Sequence, residues 1–477
     1  MADPDEDRAT EAGDPVRVLS RRTPVTSGWR APDTVRRSTV LRRARWSTGA
    51  AVVLAGAIAA ALALGGGSTA PRPSAAPPDG SIRTIAGPDG SVQLVADTEP
   101  ITAADPSAVD AVVAAEQRLT LALLNRVGDG SNATVSPASL YLALGMLQNG
   151  ARGPTADEIS TALQADGMST EEQNAGLAAL TADLAAAATK DGIELDSANS
   201  LWQQRGFDVK KQFLAALAGY FQSGVWQVDY AHDMRGALDA LNAWTSEKTH
   251  GKITKLFDSL DPSTVLVLAN AVYFHADWQT QFDKAETEPG QFTTAAGTPV
   301  SVKFMSGGPG LTAAVTGDYQ AVELPYTGGR FAALAVMPTH GSLTDFVRTL
   351  APDRIATIAA GLQPGLSVSM PRFTTASTIQ LNAVLQALGM RQAFTGSADL
   401  SGLSSTPTYV TSVIQRDYLQ VGELGTTAAA VTGVALSPTS VSVGPAVNLD
   451  HPFLFLVRDT HTGTILFASE ITDPSAP

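Results

Sequence analysis

The chain has 477 residues, 44% of them hydrophobic and 16% charged, an ordinary balance for a globular protein large enough to bury a sizeable core. Its formal net charge of -14 argues against a general nucleic-acid binder. With no cysteine it can have no disulfide, no cysteine-ligated metal or iron–sulfur cluster, no thiol nucleophile and no lipidated cysteine.

Residues 1–48 are rich in arginine, with Arg17, Arg21, Arg22, Arg30, Arg36, Arg37, Arg42, Arg43 and Arg45. The run "GAAVVLAGAIAAALALGGG" (49–67) follows, and no charge falls between Arg45 and Arg72. It is just long enough to span a bilayer, and its basic flank is expected to hold residues 1–48 in the cytoplasm, as a single-pass anchor with the C-terminal part extracytoplasmic. A cleaved signal peptide ending near Ala61–Ala63, with secretion of the remainder, is the competing reading, and a soluble Ala-rich helix is a third. Residues 68–107, opening with "STAPRPSAAPPDGS", read as a flexible linker. Order is expected from Ala108, where "SAVDAVVAAEQRLTLALLNRV" carries apolar residues at helical spacing. Residues 108–474 contain no second linker and no internal repeat. Helical patterns fill their first third. Apolar or alternating runs such as "TVLVLANAVYF", "RFAALAVMP", "LSVSMPRF" and "HPFLFLVRD" follow, so the class is α+β.

The catalytic motifs sought are absent. There is no G-x-S-x-G elbow, H-E-x-x-H pair or phosphate-binding G-x-x-x-x-G-K-[ST] loop. The six histidines, His232, His250, His275, His340, His451 and His461, show no helical pair spacing, so no metal or other cofactor is expected. A hydrolase with a triad assembled from distant residues stays open as an alternative, although no enzyme is expected. Ser136, followed by Pro137, has the pattern of a helix cap, and Ser136 and Ser139 suit capping or buried hydrogen bonding.

The segment after Glu423, "LGTTAAAVTGVALSPTS", is small and uncharged, too rich in Ala and Gly for an obligatory strand and too rich in Thr and Val for a plain loop. Strand periodicity puts Thr426, Ala428, Ala430 and Thr432 on one face, all small and uncharged. Such a face can enter an existing sheet without steric or charge penalty.

Nine segments, taken in order, resemble the serpins. They are "SPASLYLALGMLQNGARGPT" (136–155), "ANSLW" (198–202), "LNAWTSEKTHGKI" (241–253), "LANAVYFHADW" (268–278), "LPY" (324–326), "MPRF" (370–373), "LGMRQAF" (388–394), "ADLSGL" (398–403) and "DHPFLFLVRDTHTGTILF" (450–467). The resemblance implies a large mixed β-sheet with helices and a mobile reactive-centre loop over residues 423–449. Glu423 and Gly425 precede that loop, and Thr426, Thr427, Ala428, Ala429, Ala430, Val431 and Thr432 form its proximal hinge. It further implies an inhibitor, acting as a monomer, that forms a covalent complex with a target serine protease; the alternative is a non-inhibitory binding protein of the same fold. Counting from Glu423 as in the family, the resemblance implies that the attacked bond lies between Thr439 and Ser440. A small residue there suits elastase-like or subtilisin-like enzymes, and no Lys or Arg lies between Glu423 and Arg458. Ser136, Ser139 and Asn270 are implied beneath the point where the sheet opens, with Trp278 near the loop's starting point. Gln415 stands where many members have a histidine of the same network.

Overall fold

Strand periodicity and burial together explain the large sheet of the computed structural model, which describes residues 81–101, 104–128, 130–261, 263–307, 310–426 and 447–476. Numbered in chain order, the strands of this sheet are β1 (Ile82–Ala86), β2 (Val92–Ala96), β3 (Glu194–Gln204), β4 (Val225–Val228), β5 (Leu266–Asp277), β6 (Phe373–Gln380), β7 (Ser412–Val421) and β8 (Gly425–Thr426). Their spatial order is β1-β2-β4-β3-β5-β8-β7-β6, with β5 and β7 also paired directly. β5 is nearly uniformly apolar because both of its faces are covered. Leu268 and Phe274 join the main core, whereas Val267 and Ala269 join a second cluster with Trp202, Tyr230 and Trp244. Trp244 belongs to the helix Met234–Lys248, which packs over that second face.

Two further sheets complete the α+β architecture. One has seven strands, centred on Phe331–Pro338, Phe453–Asp459 and Ile465–Ile471, and closes on the short strand Ala133–Val135. The other has four, including Glu288–Thr293 and Pro299–Gly307. Helix α1 (Pro106–Val127) begins at the Asp105 cap, and α2 (Pro137–Gln148) is buried along nearly its whole length behind the large sheet. All described residues belong to one compact unit, Pro73–Pro477.

The expected linker over residues 68–107 is corrected in its second half. "IRTIAGPDGSVQLVA" forms the β1–β2 hairpin, which extends the large sheet beyond β4. The Pro88–Gly90 turn and the alternation on either side are a hairpin signal that the neighbouring Pro-rich stretch obscured. The expected cytoplasmic tail (1–48), the expected membrane anchor (49–67) and the first part of the expected linker lie outside the described residues. Among the described residues, no helix is long and apolar enough to cross a membrane.

Candidate hinge and sheet seam

β5 and β7 run parallel and side by side from Ser412 opposite Val267 to Asp417 opposite Val272. Beyond that point they diverge, and the two-residue strand β8 fills the gap. Thr426 is opposite Val421 on β7 and opposite Ala276 on β5, antiparallel to both. Thr426 is fully buried, and its hydroxyl is 2.7 Å from that of Tyr326. Burial drives the Tyr326 hydroxyl far above its ordinary pKa, so it stays neutral and able to donate. A short chain with almost no ladder of its own is thus fixed by its neighbours, since a strand of two residues has no independent stability.

Gly425 sits where β8 passes closest to the end of β5. Its φ is not in the left-handed region, and its role is close approach: a Cβ there would lie 2.1 Å from the Ala276 carbonyl oxygen and 2.8 Å from Asp277 Cα. Gly425→Ala should therefore displace β8 at a cost of about 1–3 kcal/mol, as overpacking does. The expected outcome is loss of hydrogen-exchange protection at Thr426 and a lowered melting temperature of the intact protein. Unchanged protection would show that the backbone adjusts without cost.

The residues just before β8 are held by the end of β5. The Trp278 indole stacks on Tyr326, with centroids 4.5 Å apart, and its Nε1 donates to the Gly422 carbonyl at 2.8 Å. The Trp278 amide donates to Leu424 O at 2.8 Å, and the Phe282 amide to Glu423 O at 3.0 Å. Glu423 is buried; its Oε1 accepts from Thr287 Oγ1 at 3.0 Å and pairs with the Arg372 guanidinium at 3.4 Å. Trp278 therefore packs and also anchors the segment leading into β8.

Lower in the seam, Asn270 on β5 is opposite Asn199 on β3 and Gln415 on β7, giving a row of three amides across three strands. Gln415 Nε2 donates to Asn270 Oδ1 at 2.6 Å and to Ser136 O at 2.9 Å, and Gln415 Oε1 accepts from the Ser136 amide at 3.1 Å. Asn270 Nδ2 donates to Ser139 Oγ at 2.5 Å and also to Asn199 Oδ1. Ser139 Oγ is 2.8 Å from Ser197 Oγ. Ser136 occupies the N-cap position of α2, but its hydroxyl does not cap; it donates to Leu466 O at 2.7 Å and ties the helix start to the seven-stranded sheet. Ser136, Ser139, Asn270 and Gln415 thus form one network across the β5–β7 seam, while Trp278 sits above it at the upper end of the gap. Tyr326, Ser197 and Asn199 were not singled out from sequence. Register would have shown the last of them, because Asn199 lies opposite Asn270.

Thr427, Ala428, Ala429, Ala430, Val431, Thr432, Thr439 and Ser440 lie outside the described residues. Three histidines contact aspartates: His232 with Asp229, His250 with Asp196 and His451 with Asp450. None of these three is hydrogen-bonded to a serine among the described residues, so none of them makes up a triad there.

A family model described as serpin (serine protease inhibitor) matches residues 114–474. Iripin-2 of Ixodes ricinus is 35% identical over 365 residues, which are 75% of this chain and 92% of that protein. An uncharacterized serpin-like protein of Thermococcus kodakarensis is 32% identical over 354 residues, 73% of this chain and 82% of its own length. Among solved structures, the thermophilic serpin tengpin in its native state matches with a TM-score of 0.69 at 28% identity, over 78% of this chain and 95% of tengpin. A thyroxine-binding globulin complex with thyroxine matches with a TM-score of 0.68 at 24% identity, over 77% of this chain and 99% of that chain, a likeness that concerns the fold alone.

Proposed function

The chain belongs to the serpin family, and from that premise we propose that it traps serine proteases by strand insertion at the seam between β5 and β7. It is not an enzyme. In the proposed reaction the protease serine oxygen attacks the Thr439 carbonyl carbon. The bond to the Ser440 nitrogen breaks, that nitrogen leaves protonated, and Thr439 stays esterified to the protease. The freed segment from Thr427 onward then extends β8 down the sheet and carries the acyl-enzyme with it. About 13 residues at roughly 3.3 Å each move the protease some 40–45 Å.

The observation that carries this reading is the register of β8. Thr426 is opposite both Val421 and Ala276, and continuing both antiparallel ladders brings Thr432 opposite Gln415 on one side and Asn270 on the other. Those two residues are already opposite each other in the parallel seam. β5 and β7 therefore need only separate, without slipping along each other. The Gln415–Asn270 hydrogen bond is lost on opening, and the Thr432 hydroxyl arrives between the two amides as a new partner. A hydrogen bond broken and re-formed in this way leaves no buried amide unsatisfied.

Specificity follows from Thr439, a small residue that fits a shallow apolar pocket. Incubation with an elastase-like or subtilisin-like protease should give a complex that survives denaturing electrophoresis. It should also release a C-terminal peptide whose first residue is Ser440, read by mass spectrometry. Thr439→Arg should move trapping toward trypsin-like enzymes by at least about tenfold. Cleavage outside the 423–449 loop, with no covalent complex for any protease class, would defeat the proposal.

A further inference from the structure

We propose that Asp417 is a proton-operated latch on the seam: its neutral carboxyl group keeps β5 and β7 closed, and its ionisation on exposure to water favours their separation.

Asp417 is the last residue of β7 paired directly with β5, immediately before the two strands diverge around β8. It is 1% exposed, and neither carboxyl oxygen has a hydrogen-bond partner among the described residues. The backbone amide of Ser136, whose influence on the carboxyl is to lower its pKa, donates its hydrogen bond to Gln415 Oε1 at 3.1 Å instead. Alternation along β7 places Asp417 on the inward face with Gln415 and Leu419. Across the sheet it is opposite Ser377 on β6 and Val272 on β5.

Among the described residues, no cation answers it from the elements around it. β6 and the Ala133–Val135 strand contain no titratable residue. Tyr273, His275 and Asp277 on β5, and Arg416 and Tyr418 on β7, alternate to the opposite face. There the Tyr273 ring packs on His250, Arg416 bonds to Lys255 O, and Lys252 lies over the Tyr418 ring. α2 brings Tyr141, whose hydroxyl accepts from Gln173. On the Ile465–Ile471 strand, Ser469 bonds to Thr134 Oγ1, and Glu470 alternates to the other side. Burial therefore pushes the Asp417 carboxyl well above the ordinary carboxylate range, so the closed seam favours its neutral form.

The sign of the effect follows by linkage. In the open seam the carboxyl is hydrated and its pKa returns to about 4. A group whose pKa is raised in the closed form favours that form fully at pH below about 4. The advantage falls by about tenfold per pH unit as the pH rises toward the raised value. Acid holds the seam shut, and neutral or alkaline pH loosens it. The amide network beside it contributes no such dependence, because Gln415 and Asn270 do not titrate.

The consequence for trapping rests on the strand-insertion reading, but the test does not use a protease. Hydrogen exchange of the full-length protein is followed from pH 5 to pH 8 at the amides of residues 267–272 and 412–417, with intrinsic exchange rates divided out. The amides of Phe331–Pro338, far from the seam, are the reference. They correct for Glu116, which burial pushes up to about 8 and which titrates with global unfolding in every variant. Wild-type protection at the seam should fall at least tenfold relative to the reference, while Asp417→Asn stays flat. If Asn cannot be accommodated, Asp417→Ala carries the same expectation. Parallel profiles in wild type and a folded variant overturn the latch. A latch that holds in a protein that forms no covalent complex would instead count against the inhibitory reading.

Discussion

Thr426→Arg is expected to abolish covalent trapping while leaving cleavage of the loop intact. Thr426 is fully enclosed between Val421, Ala276 and the Tyr326 hydroxyl. An arginine there must either bury an unpaired charge, at a cost of several kcal/mol, or pull β8 out of the gap. Either way strand addition loses its starting point, and hydrolysis of the acyl-enzyme overtakes it. Denaturing gels should show the complex reduced at least about 100-fold, with cleaved protein and active protease in its place. Thr426→Ser, which keeps the hydroxyl and the small volume, should trap as wild type does. A Thr426→Arg protein that traps normally would mean that the segment after Gly425 does not enter the sheet.

Cleavage of the wild-type loop should raise the melting temperature by more than about 15 °C. Each residue added to β8 gains ladder bonds on both sides, and only the six parallel pairs from Ser412 to Asp417 are given up. At about 1 kcal/mol net per bond, some 10 kcal/mol is gained. A domain of this size converts each kcal/mol into about 2 °C. Calorimetry before and after limited proteolysis measures the shift, and Thr426→Arg cut in the same way should gain almost none of it. No gain in the wild type would show that the intact form is not metastable.

How far the sequence discloses this arrangement depends on the reach of each signal. β5 and Phe453–Asp459 are legible because strands buried on both faces leave uninterrupted apolar runs. The parallel pairing of β5 with β7 has no local signature, since its partners are 145 positions apart. Ser136, Ser139, Asn270 and Gln415 emerge only through the family resemblance, because short polar side chains look alike whether they cap a helix or bridge a seam. Asp417, by contrast, carries a local signal. Alternation through "SVIQRDYLQV" sets it beside Val413, Leu419 and Val421, a polar residue on an apolar face. The β1–β2 hairpin was lost to the composition of its surroundings.

β8 also bears on how loop length can vary. Adding a strand to a sheet normally begins with an entropically costly closure, whose magnitude grows with the length of chain to be gathered. If β8 is extended by strand insertion as proposed, two residues already lie in their final register, so that closure would be complete before any protease arrives, and each later residue would be placed next to one already fixed. The early rate of zipping is then independent of how many residues follow Thr432. On the proposed mechanism, insertions or deletions in the distal part of the loop would alter which bond is presented and how far the captured enzyme travels, and would leave initiation untouched. Bait and engine are separable, and the bait can diversify freely while the engine stays the same.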